Sequence, residues 1–90
     1  MQLYAAWLTI VDEVLNQQRR PDHLAYLSRL QAAGHVAWAG PFADRSGGLV
    51  IYRAASDDEA NALAAADPAV SSGARTVIVK GWELLDLEKI

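Results

Sequence analysis

Apolar positions along this chain switch between strand-like and helix-like spacing. Residues 2–10, QLYAAWLTI, combine tyrosine, tryptophan, threonine and isoleucine with no polar stripe at helical spacing. They predict an inner strand with apolar side chains on both faces. The following VDEVLNQQRR is polar and carries no clear period until Pro21, which suits the first position of a helix because no amide donor is needed there. Leu24, Leu27 and Leu30 then recur at helical spacing, and Gly34 stands where a left-handed residue ends a helix, so a helix is predicted over residues 21–33.

HVAWAGPF, residues 35–42, predicts a second strand running into a Gly40-Pro41 break. ADRSGG is turn chemistry, and LVIYRAA, residues 49–55, predicts a third strand that closes a hairpin. Ser56 with Glu59 three residues on matches a capping box, in which each side chain satisfies an amide at the other's position. DDEANALAAAD places Ala60, Leu63, Ala64 and Asp67 on one stripe and predicts a second helix ending near Asp67-Pro68, where the proline ring stops it. TVIVKGWELLDL, residues 76–87, predicts a long last strand with Gly81 as a bulge.

The order β-α-β-β-α-β, with no repeat or linker, predicts one domain over residues 1–90. Its class is α+β, a ferredoxin-like four-stranded antiparallel sheet with two helices on one face. Two helices cover only one face, yet Tyr4 alternates with Leu3 and Ala5, Val50 with Leu49 and Ile51, and Ile78 with Val77 and Val79, so a second apolar face is left to cover. A homodimer packed through the open sheet face is the expected remedy, giving a dimeric α+β assembly.

Composition narrows the function classes. At 90 residues the chain buries only about 60–65% of its unfolded surface, so its own core is thin. Apolar types at 52% and charged types at 21% fit a folded protein, and the absence of cysteine removes disulfides and thiol chemistry. A net charge of −3 argues against nucleic-acid binding. The first residues, MQLYAAWLTIVDEV, have neither a basic lead nor a membrane-length apolar run, so no membrane partner and a cytoplasmic location are expected.

Chain direction brings the start of the first helix, the end of the second strand and the end of the second helix to one end of the sheet. His23, Gly40-Pro41 and Asp67 should therefore meet. In a first turn the helix dipole disfavours added positive charge and tends to keep the imidazole neutral and available as a base. Asp67 at a helix end is disfavoured by the dipole and calls for a partner such as His23. The structural readings stand beside these: His23 shares a stripe with Leu27 and Leu30, and Asp67 is also placed to cap a turn beginning at Pro68. Arg20, with Asp12 and Arg19, sits on the connection into the first helix near the same end, and His35 lies at the opposite end. No phosphate loop, nucleophile elbow or metal-ligand spacing is present, so neither metal nor cofactor is expected. Trp7, Trp38 and Trp82 all fall in predicted strands, as core or dimer-face residues.

The motifs R-R-P-D-H-L-A-Y-L-S-R-L at 19–30, A-G-P at 39–41, A-D-P at 66–68 and V-K-G-W at 79–82, in this order and spacing, resemble the YciI-like, or YCII-related domain, family. The resemblance implies a dimeric ferredoxin-like fold and an active-site pair at His23 and Asp67. It also implies proton-transfer chemistry, since some relatives act as a dehydrochlorinase on chlorinated aromatics and related muconolactone-isomerase-like domains move protons. Ala69 departs from the pattern, standing where the family commonly has an aromatic residue, which implies a missing piece of pocket wall.

Two functions follow from these residues. One is a small enzyme of lyase, isomerase or dehalogenase type, with His23 as general acid or base, Asp67 orienting it, and Gly40, Pro41 and Arg20 holding a small organic substrate. The other is a non-catalytic dimeric module that binds a small molecule or supports another enzyme. A concave, water-accessible pocket beside both His23 and Asp67 favours the first, a closed and filled contact the second.

Overall fold

The computed structural model describes residues 1–89. The elements are β1 (Gln2–Ile10), α1 (Glu13–Ala32), β2 (Val36–Pro41), β3 (Gly47–Ala54), α2 (Asp57–Ala65), α3 (Pro68–Ser71) and β4 (Arg75–Trp82). All neighbouring strands are antiparallel, in the order β2-β3-β1-β4. This is the ferredoxin-like arrangement expected from the element order, with a one-turn helix added before β4. No helix among the described residues is long and apolar enough to cross a membrane.

β1 lies between β3 and β4 and carries apolar residues on both faces, one covered by the helices and one not. Tyr4, Ala6 and Leu8 face the helices, joined by Val50, Tyr52 and Ala54 of β3, and pack on Tyr26 and Leu27 of α1 and Ala60 and Ala64 of α2. Burying each large side chain stabilises the fold by about 1.5–3 kcal/mol. The opposite face is bare: Trp7, Trp38 and Ile78 are 55%, 54% and 61% exposed.

Helix α1 begins at Glu13, not at Pro21. Asp12 is its N-cap, accepting from the Leu15 amide at 3.0 Å. Pro21 lies inside the helix, where it removes the donor to the Gln17 carbonyl. Both residues are exposed, so solvent satisfies that carbonyl. The inward residues of α1 are Asn16, His23, Tyr26 and Leu27; two of them are polar, which hides the helical period in the sequence. Asp12, Arg19 and Arg20 thus belong to a helix and its cap, not to a connection.

Other boundaries also move for physical reasons. β2 continues through Gly40 and Pro41, paired with Leu49 and Gly48, because it is an edge strand where a missing amide is tolerated. Gly47 and Gly48 belong to β3, not to the turn. A Cβ on Gly47 would collide with the Leu8 carbonyl oxygen, and one on Gly48 would lie 2.8 Å from the Gly40 carbonyl oxygen. Gly81 is no bulge: it pairs in register with Tyr4, and the register shift lies in β2 between Val36 and Trp38. β4 stops at Trp82, which pairs with Leu3, because β1 offers no partner much beyond that point. The Ser56 half of the capping box forms, with Ser56 Oγ accepting from the Glu59 amide at 3.2 Å, and α2 closes at Ala65.

Gly47→Ala is expected to destabilise the protein by about 1–3 kcal/mol, seen as a lower urea midpoint. Gly40→Ala, where an added Cβ meets nothing within 4 Å, should stay within about 0.5 kcal/mol of wild type. An unchanged midpoint for Gly47→Ala would contradict the close approach of β1 and β3.

Candidate active site

Asp67 stands between two helices that cannot merge, since Pro68 has no amide to extend α2 and instead opens α3. It is the N-cap of α3, and its Oδ1 accepts from the Ala69 amide at 2.9 Å. The structural reading of Asp67 therefore holds. The same carboxylate also meets His23, whose Nδ1 lies 2.8 Å from both Oδ1 and Oδ2. Asp67 is fully buried and His23 is 6% exposed. A carboxylate removed from water needs donors, so Nδ1 carries its hydrogen toward Asp67, and Nε2 is the proton-free nitrogen of the neutral ring.

His23 lies in the middle of α1, not in its first turn. The dipole of the helix N-terminus falls off within one turn and does not reach it. The orientation of the ring comes instead from Asp67, across a sequence separation of 44 residues.

A cavity of about 180 Å³ opens beside the ring. α1 contributes Arg20, His23 and Leu24, β2 contributes Gly40 and Pro41, and the first residue of β4, Arg75, completes the charged part of the wall. The sequence-predicted residues Arg20, His23, Gly40 and Pro41 thus share one cavity, while Asp67 sits behind His23 and off the wall. Among the described residues the Tyr52 hydroxyl is the sole buried side-chain polar atom without a partner. Among the described residues Nε2 finds no hydrogen-bond partner, and it is not an enclosed atom, so it is open to solvent. Ala69 is buried and is not one of the residues that line the cavity. His35 is elsewhere, with Nδ1 3.3 Å from the Arg53 carbonyl.

Arg75 and Asn16 escaped the sequence reading. Both are 8% exposed, and Arg75 Nε donates to Asn16 Oδ1 at 2.7 Å. Burial pushes the Arg75 guanidinium below its ordinary pKa, opposed by the nearby Asp67 carboxylate. The available signal was parity, because Arg75 falls on the same side of β4 as Val77 and Val79, which pack on the core. Two phenols lie close to the pair. Tyr26 Oη donates to the Leu63 carbonyl at 2.6 Å, whereas the Tyr52 hydroxyl has no partner. Burial, then the Asp67 charge, raises the pKa of both. Among the described residues no three histidine, cysteine, aspartate or glutamate side chains group as metal ligands.

The family described as YCII-related domain matches residues 2–83 of the chain. The uncharacterised protein YjpA of Bacillus subtilis (strain 168) is 39% identical over 77 residues, covering 86% of this chain and 91% of YjpA. A solved structure of 5-chloro-2-hydroxyhydroquinone dehydrochlorinase (TftG) from Burkholderia phenoliruptrix AC1100, in complex with 2,5-dihydroxybenzoquinone, superposes with a TM-score of 0.80 at 25% identity. That match covers 94% of this chain and 97% of the other. Muconolactone isomerase shares the fold, with a TM-score of 0.74 at 16% identity over 93% of this chain and 91% of that one.

Nitrogen-15 NMR at a pH where His23 is neutral should show the Nδ1–H tautomer in the wild type. Asp67→Ala should lose that preference and cost at least about 1 kcal/mol through the lost cap; a tautomer unaffected by the substitution would refute the assigned contact. Tyr52→Phe removes a buried hydroxyl without a partner and should be neutral or stabilising, by up to about 1 kcal/mol. Because folding raises the Tyr26 and Tyr52 pKa values, stability should hold below about pH 10, the unfolded value, and fall as pH rises beyond it. Tyr52→Phe should flatten that alkaline loss in a denaturation series, and an identical loss in both proteins would contradict the burial argument.

Proposed function

The chain belongs to the YCII-related domain family, and from that premise we propose that it is a small enzyme performing general acid/base chemistry on a small organic substrate. The observation that carries this reading is the two-sided placement of His23. One ring nitrogen is held by a buried carboxylate at 2.8 Å, and the other edge of the ring faces a cavity. With Nδ1–H fixed on Asp67, Nε2 accepts a proton from the substrate, and the resulting imidazolium is stabilised by the carboxylate behind it. The same nitrogen then returns the proton, or releases it to water, as the reaction requires.

Lyase, isomerase and dehalogenase steps all fit, because each couples removal of a proton to a shift of a double bond or to departure of an anion. In dehydrochlorination the proton goes to Nε2, the electrons of the broken bond form a new π bond, and chloride leaves with its electron pair. The similarity to TftG, whose name specifies such a reaction, supports this class. Arg20 and the Gly40-Pro41 segment form the substrate side of the cavity. A pocket beside both residues is the mark of the enzyme and a filled contact that of a non-catalytic binding module; the cavity borders His23 and leaves Asp67 buried, so the open edge of the ring supports the enzyme reading while the His23–Asp67 contact itself is closed.

A second copy of the chain is the proposed cover for the open sheet face. Register places Leu49, Trp7 and Ile78 in one row across β3, β1 and β4, and Ile51, Ala5 and Lys80 in the next. Apart from Lys80 these residues are apolar, and with Trp38 they form a patch of the kind that monomers seldom leave in water.

Chloride release from 5-chloro-2-hydroxyhydroquinone, and proton exchange on lactone and enol substrates, form the primary activity screen. His23→Gln should lower turnover by about 10²- to 10⁴-fold, and a variant within threefold of wild type would exclude His23 as the base. Light scattering after size-exclusion chromatography should give a dimer for the wild type and a monomer for Trp7→Glu; a monomeric wild type would refute the covered face.

A further inference from the structure

We infer that the substrate of this cavity is an organic anion, a carboxylate in the simplest case, whose oxygens seat on the guanidinium of Arg75. The inference rests on the reading of the cavity as a substrate site.

Arg75 is more than nine-tenths buried, and a buried cation needs compensation. Among the described residues its one side-chain hydrogen bond runs from Nε to the neutral Asn16 Oδ1 at 2.7 Å. Among the described residues no carboxylate lies within salt-bridge distance of it, and Asp67 is already engaged by His23 and the Ala69 amide. The terminal nitrogens therefore have no partner among the described residues, yet they are not sealed in, since Tyr52 supplies the one enclosed orphan atom there. They belong to a residue on the cavity wall. Asn16 fixes the guanidinium by its Nε edge and leaves donors free for a paired oxygen acceptor. Arg20 adds a second cation to the same wall, whose remainder is largely apolar, from Leu24, Leu27, Pro41 and Val50. A volume of about 180 Å³ suits an anion with a single-ring or short-chain body. Held at Arg75, such a molecule is anchored at one end while His23 works on the other.

The test is calorimetric titration of the full chain with benzoate and its uncharged isostere benzamide, with inorganic phosphate as a third probe. Wild type should bind benzoate about ten- to hundredfold more tightly than benzamide, and more tightly than phosphate. Arg75→Gln should reduce benzoate to the level of benzamide, whereas His23→Gln should keep the preference. Equal affinity for benzoate and benzamide in the wild type overturns the inference, as does an undiminished preference in Arg75→Gln. Phosphate binding as tightly as benzoate overturns the organic class. The wild-type comparison needs no variant and stands even where Arg75→Gln fails to fold. A retained preference for benzoate with no turnover of any substrate would sink the catalytic reading alone, so the two failures are distinct.

Discussion

One fully buried carboxylate organises this molecule. Asp67 has no exposure to water and must find its hydrogen bonds inside the fold, from the Ala69 amide in its own turn and from an imidazole on a distant helix. Pro68 ends α2 and opens α3, the Asp67 side chain caps the new turn, and α1 turns a polar side chain inward at its middle to meet it. The cap of α3 and the contact with His23 are two consequences of the same pair of oxygens. The two readings of Asp67 that the sequence left open are therefore both correct as geometry.

The sheet supplies the rigid part of this arrangement. A side chain on Gly48 would meet the Gly40 carbonyl oxygen, so β2 and β3 run close together there, where both strands border the cavity beside His23. Arg75 enters from the first residue of β4, on the far side of β1 from β3. The cavity is thus framed by three strands and one helix, and a ligand within it meets side chains fixed on regular elements. Such sites hold their geometry better than sites built on loops.

Much of this was legible in the amino-acid sequence because topology is written in coarse features. Alternating element types, the hairpin between β2 and β3, and the proline after Asp67 sufficed to place His23, Gly40, Pro41 and Asp67 at one end of the sheet. The first half of α1 was not legible, since Asn16 and His23 occupy its buried stripe and the stretch before Pro21 shows no apolar period. Arg75 and Asn16 were missed for a related reason. Their contact joins residues 59 apart, and neither carries a local motif. Gly47 and Gly48 read as turn residues because the crowding that requires them comes from β1 and β2, not from their own neighbours.

All three tryptophans lie on strands and are exposed, on or bordering the face away from the helices, and none borders the cavity. Intrinsic fluorescence of this protein is consequently a reading of one side of the sheet. Its emission wavelength will follow how wet that side is, moving to the blue when something covers the indoles. A molecule entering beside His23 would pass almost unseen by the same signal, so the two faces can be observed separately without any added label.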